Sequence, residues 1–90
     1  MFEWDAFNEA EVAKHGLAPS EVEEAFDAPF MLRRDAELVG NEERTAFVAE
    51  TLAGRVITVV YTLRGPRIRV VTAYPTRGRL RRQYLEGRSS

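Results

Sequence analysis

Between Arg44 and Tyr74 the chain reads RTAFVAETLAGRVITVVYTLRGPRIRVVTAY, and this stretch constrains the fold more than any other. Three runs rich in β-branched and aromatic residues, 44–52, 55–63 and 67–74, are separated only by Ala53-Gly54 and by Arg64-Gly65-Pro66. A parallel crossover needs a dozen or more residues, so connections this short join antiparallel neighbours. The spacing therefore predicts a three-stranded meander. Period-two alternation in its last strand sets Arg67, Arg69, Val71 and Ala73 on one face, and Ile68, Val70, Thr72 and Tyr74 on the other.

The flanking segments read as helices. Asn8 with Glu11 makes a capping-box pattern that Gly16 ends, which predicts a helix over 8–15. Ser20 with Glu23 repeats the box, and Val22, Ala25 and Phe26 share one face, so a second helix over 20–27 stops before Pro29. Residues 30–34 suit a short edge strand, and the polar stretch 35–43, with Gly40-Asn41, reads as a loop. Thr76 is the expected cap of a last helix reaching Glu86, with Leu80 and Tyr84 as its apolar pair. Ninety residues suit one domain, 1–90. The expected fold class is α+β, with two N-terminal helices, an antiparallel meander of three to four strands and a C-terminal helix, the helices covering one face of the sheet.

Charge divides the chain. Residues 1–50 hold 13 acidic groups against Lys14, Arg33, Arg34 and Arg44, a balance of −9, whereas residues 51–90 hold nine arginines against Glu86, a balance of +8. Either a polyanion-binding face or mutual neutralisation of the two halves follows. Twelve arginines to one lysine suit bidentate phosphate contacts. The absence of cysteine excludes disulfides and thiolate metal sites, and a lone histidine excludes a multi-histidine metal centre. There is no phosphate-binding Walker loop, HExxH or nucleophile elbow, so neither a metal nor a cofactor is expected. No apolar run approaches the roughly 18 residues of a membrane span, no signal-peptide pattern opens the chain, and a cytoplasmic location is expected.

One chemistry fits what remains: cleavage of RNA by its own 2′-hydroxyl. It needs a base, an acid and fixed cations for the charge developing on phosphate. Tyr74, His15, Lys14 and Glu43 are the available proton carriers, and Arg44, Arg64 and Arg69 supply cations if the strand register brings them together. The simpler role for His15, and the one its position favours, is as a cation at a helix C-terminus.

Several fragments, in order, carry a family likeness. They are EWD (Glu3 to Asp5), Asn8, KHG (Lys14 to Gly16), FDAP (Phe26 to Pro29), Gly40 through Arg44, VVYTLRG (Val59 to Gly65), RIRVVTA (Arg67 to Ala73), and an arginine-rich segment ending in Tyr84. Over about residues 3–86 the chain resembles the BrnT toxins of type II toxin–antitoxin pairs, whose fold is like that of the RelE ribonucleases. The resemblance implies a metal-independent endoribonuclease, an mRNA interferase, held inactive by a ribbon–helix–helix antitoxin. Operator DNA would be reached only through that antitoxin.

Carried onto this sequence, the resemblance marks Trp4, Lys14, His15, Glu43, Arg44, Arg64 and Arg69. With Tyr74 added from the residue reading, Arg44, Arg69, Tyr74, His15 and Glu43 are the expected catalytic set. Trp4, Lys14, Arg64, Arg67, Arg77 and Arg81 are the expected RNA contacts. Simpler roles stand beside these: Trp4 as a core anchor, Asp5 as a cap, Lys14 as a solvated helix residue, Glu43 as a partner of Arg44. Where BrnT-like chains commonly end the last strand in Ser-Ala-Arg and carry a glutamate in the last helix, this one has Thr72-Ala73-Tyr74 and Leu80. Two readings stay open there: an active ribonuclease that uses Tyr74, or a catalytically degenerate relative that binds RNA or a protein partner without cleavage.

Overall fold

The computed structural model describes residues 1–35 and 37–90. In chain order its elements are α1 (Ala6–Ala13), α2 (Pro19–Phe26), β1 (Leu32–Arg33), β2 (Glu37–Val39), β3 (Glu42–Glu50), β4 (Val56–Arg64), β5 (Arg67–Pro75) and α3 (Gly78–Arg88). The α+β class, the two leading helices, the antiparallel meander and the closing helix are as expected. All strand pairings in the five-stranded sheet are antiparallel, in the order β1-β3-β4-β5, with β2 also paired to β3.

The stretch expected to be a loop, 35–43, instead contains β2. Glu37-Leu38-Val39 pairs with Arg44-Glu43-Glu42, and Gly40-Asn41 forms a two-residue hairpin loop. Gly40 has a φ of +63°, which a two-residue hairpin of this kind requires at its first central position. All three β2 residues are solvent-exposed, so no alternation of apolar and polar residues marks this hairpin in the sequence. Gly65, at φ +59°, makes the corresponding turn between β4 and β5.

A β-bulge revises the alternation expected in β5. Tyr61 pairs with Val70, but Val60 pairs with Thr72, so Val71 is the extra residue. Val70 and Ala73, three apart, consequently both lie in the core. Arg67 and Arg69 therefore share a face with Thr72 and Tyr74 rather than opposing them. The N-terminus runs beside the start of β5: Glu3 N donates to Ile68 O at 2.8 Å, and Ile68 N donates to Met1 O at 2.7 Å. Part of an otherwise open sheet edge is thereby covered.

Helices occupy both faces of the sheet, not one. On the first face Val12 of α1, Leu17, and Val22 and Ala25 of α2 bury against Phe47, Ala49, Ile57, Val59, Val70 and Ala73. Phe26 meets Phe2, Phe47 and Tyr61 edge-to-face, at centroid distances of 4.9, 4.9 and 5.3 Å. Each of the fully buried valine and isoleucine side chains contributes about 1.5–3 kcal/mol of transfer free energy. On the second face Tyr84, Leu80 and Leu85 of α3 pack with Val48, Val56, Phe30 and Leu32. The Tyr84 hydroxyl donates to Glu50 Oε1 at 3.2 Å, and burial, followed by the Glu50 charge, pushes the phenol up to about 12. It stays protonated as a structural donor.

The helix starts also differ from expectation. Asp5 caps α1 in the simpler role given to it above, in place of Asn8: its Oδ1 accepts from Phe7 N (2.9 Å) and Asn8 N (3.2 Å), while Asn8 Oδ1 accepts from Asp5 N at 2.7 Å. Glu21 closes the start of α2 by accepting from Ala18 N at 3.0 Å, with Pro19 at the first helical position. Thr76 is buried and bonded to Thr58, Oγ1 to Oγ1 at 2.8 Å, so α3 begins at Gly78 without a side-chain cap. Because α3 covers one end of the second sheet face, the other end remains open around Arg44, Ala46, Val60, Thr72 and Tyr74. No helix among the described residues is long and apolar enough to cross a membrane.

Candidate active site

Helix α1 packs against β5, the last strand of the sheet. Glu11 there accepts from Thr72 Oγ1 at 2.8 Å, and its other oxygen lies 2.9 Å from Lys14 Nζ. One turn on, His15 Nε2 is 3.4 Å from Glu11 Oε2, and the His15 ring lies 5.9 Å from the Tyr74 ring. Glu11 is ionised below its ordinary range, first because of Lys14 and then because of Thr72. Tyr74 is 38% exposed, and its neighbours form the wall of a groove of about 440 Å³ with His15, Thr58, Thr76, Arg77 and Leu80. Leu80 is the apolar side of this groove and also packs into the second core.

Arginines of the meander meet at the opposite end of the same sheet face, roughly 15 Å away by strand rise. Arg69 Nη1 lies 2.9 Å from Asp5 Oδ2 and 3.3 Å from Glu3 Oε1, and its Nη2 is 3.3 Å from Asp5 Oδ1. Arg64 approaches Glu3 (3.6 Å) and Glu42 (3.5 Å), Arg67 approaches Glu3 (3.7 Å), and Arg44 approaches Glu42 (3.3 Å). Four of the expected phosphate ligands thus face three carboxylates. The Arg69 side chain is 16% exposed and clamps the cap of α1 onto the sheet.

That clamp has a pH signature. The Arg69 guanidinium, then the backbone N–H of Asn8, hold Asp5 below its ordinary value of 3.8, and Lys14 and Thr72 hold Glu11 below 4.5. A depressed carboxyl contributes stability above its unfolded value and loses it as pH falls through the folded one. The melting temperature should accordingly be nearly flat down to about pH 5 and decline below about 4.5. Asp5→Asn keeps a capping residue but loses the charge. Its deficit relative to the parent should be largest near neutrality and vanish in acid; a deficit independent of pH would mean that the charge contributes nothing.

The expected site residues therefore fall into separate groups. Lys14, His15 and Tyr74 come together, with Arg77 beside them. Arg44, Arg64, Arg67 and Arg69 form the ion-paired cluster. Glu43 is exposed on the other side of β3 from Arg44; Arg44 pairs with Glu42, two residues away, instead. Trp4 is half-buried against the first core and donates Nε1–H to Glu23 at 2.8 Å, an anchor between the N-terminus and α2. Arg81 is exposed, and at about 100° per residue it projects from the flank of α3 opposite Arg79.

Glu11 and Thr72 join the site although neither belongs to the expected set. The four-residue spacing of Glu11 and His15 is a signal in the sequence, but the capping-box pattern with Asn8 gives Glu11 a competing role there. Among the described residues no three His, Asp or Glu side chains are grouped so as to hold a metal ion.

Comparison with curated proteins gives no match. Residues 4–79, from the Trp4 anchor to the first turn of α3 and including Glu11, His15, Thr72 and Tyr74, match the family described as "Ribonuclease toxin, BrnT, of type II toxin-antitoxin system". Membership of that family implies an RNA substrate and an antitoxin partner. With the match spanning most of the sequence, this chain belongs to the BrnT family of type II toxin–antitoxin ribonuclease toxins.

Proposed function

We propose that the chain is a metal-independent endoribonuclease of RelE-like kind, acting as one domain over residues 1–90 in the cytoplasm. The grouping of Glu11, His15 and Tyr74 beside an open groove is the observation that carries this reading. Glu11 facing Nε2 of His15 leaves Nδ1 as the proton acceptor. In the proposed step His15 takes the proton of a 2′-hydroxyl, and the 2′-oxygen attacks the adjacent phosphorus. The bond to the 5′-oxygen breaks, and Tyr74 donates the proton that the leaving group needs. The products are a 2′,3′-cyclic phosphate and a free 5′-hydroxyl. Lys14 and Arg77 are the nearby cations for the phosphate. Glu11 is a positioning residue in this scheme. A ribbon–helix–helix antitoxin would neutralise the toxin, and operator DNA would be bound only through it.

A second reading, binding without cleavage, is favoured by one observation: Arg44 and Arg69 already face carboxylates. Incubating the purified chain with bulk RNA in EDTA separates the two. Products ending in 2′,3′-cyclic phosphate are the expected result. Intact RNA in the presence of folded, antitoxin-free protein would leave the binding reading.

A further inference from the structure

The twelve arginines divide by partner, and the division points away from β5 to another surface. Arg44, Arg55, Arg64, Arg67, Arg69 and Arg88 each lie within 4 Å of a carboxylate. Among the described residues Arg33, Arg34, Arg77, Arg79, Arg81 and Arg82 make no such pair, and all six are exposed. Three of these six meet across one groove of about 390 Å³, which Arg33 and Arg34 line from the β1 side and Arg79, Leu80 and Gln83 line from α3. Arg34 is held in place by its backbone, since Arg34 N donates to Ala46 O at 2.9 Å.

This groove is not isolated. It shares Leu80 with the His15–Tyr74 groove, and it shares Arg34 with the open sheet face, a shallow depression of about 430 Å³. That depression in turn shares Thr58 and Tyr74 with the His15–Tyr74 groove. Ala46, Val60, Val71 and the Tyr74 ring line the depression together with Thr58 and Thr72, and Arg44, Asp35 and Glu37 line it as well.

We infer that Arg34 and Arg79, assisted by Arg33, bind the backbone phosphates of a single-stranded RNA whose unpaired bases rest on the open sheet face beside Tyr74. This rests on the ribonuclease reading above for its ligand, and it assigns to that ligand residues outside the expected contact set. Charge complementarity argues for it. An unpaired guanidinium can give a phosphate two parallel hydrogen bonds, whereas the paired arginines of β5 must first release a carboxylate. An aromatic ring with apolar neighbours suits splayed bases, which a duplex does not offer. An acidic protein segment would meet the same cations but would be repelled by Asp35 and Glu37 and would give the exposed Tyr74 ring no base to stack on.

Binding of a 2′-O-methylated single-stranded RNA, which cannot be cleaved, tests this by its salt dependence. Removing one phosphate neutralisation from a single strand lowers the slope of log K against log salt by about 0.7. Arg34→Gln and Arg79→Gln should each do so, and Arg33→Gln/Arg34→Gln/Arg79→Gln should lower it by about 2. Arg82→Gln removes an equal charge from the outward flank of α3 and should leave the slope unchanged. Equal slopes for the triple variant and the parent would overturn the inference, as would a parent that binds no RNA. Intact RNA binding by a triple variant that no longer binds an antitoxin would overturn it in favour of a protein ligand. If the parent binds RNA through these arginines but cleaves none, the track stands and the ribonuclease reading fails.

Discussion

Replacing His15 with alanine should lower the single-turnover rate of RNA cleavage in EDTA by about 10²–10⁴-fold, the usual contribution of a positioned proton carrier. His15 follows α1, its side chain is 36% exposed, and its ring lies beside Tyr74 without entering either core. The substitution should therefore change stability by no more than about 0.5 kcal/mol, so a slower rate will not reflect unfolding. Tyr74→Phe removes the phenol but keeps the ring and should also slow the reaction. Glu11→Gln, which leaves His15 in place but alters the group facing Nε2, should slow it less and shift its pH profile. Unchanged cleavage by His15→Ala would move the chemistry to the arginine cluster, and Arg69→Ala would then become the decisive variant.

The largest effect on stability is expected at Asn8. It is 3% exposed, and its amide joins three parts of the chain. Nδ2 donates to Glu3 O at 2.9 Å and to Val70 O at 3.2 Å, while Oδ1 accepts from Asp5 N at 2.7 Å. Asn8→Ala leaves the Val70 carbonyl buried without this donor and opens the reciprocal cap of α1. The cost should be about 2 kcal/mol, which for a domain of this size lowers the melting temperature by about 10 °C. Asn8→Asp is the sharper comparison, because a carboxylate can still accept from Asp5 N but cannot donate to the two carbonyls. Thermal denaturation of both variants checks this. A deficit confined to Asn8→Ala would assign the stability to the cap alone.

Asn8 also shows what a linear reading misses. Local pattern marks it as a helix-start residue with Glu11 as its partner. Its actual bonds run to Asp5, three residues away, and to Val70, 62 residues away. Arg69 is the parallel case: its partners Asp5 and Glu3 are 64 and 66 residues distant, so nothing local signals that its charge is neutralised. The bulge at Val71 carries no glycine or other local mark, yet it decides which β5 residues share a face with Tyr74. Glu37-Leu38-Val39 is a strand only because β3 is there to pair with it.

The sequence by itself determined the meander, because β-branched runs and short glycine turns are local signals that act within one hairpin. It determined the leading helices and the closing helix by the same kind of local pattern, and it determined the family by ordered fragments spread along the chain. Which charges remain available was decided only by the tertiary structure. Ion pairing and strand register depend on distances between segments far apart in the chain, so Arg69 found Asp5 and Glu3, whereas among the described residues Arg34 and Arg79 found no carboxylate within 4 Å. The same folding carried Glu11 and His15 to the edge of β5, where they meet a tyrosine 59 residues beyond His15.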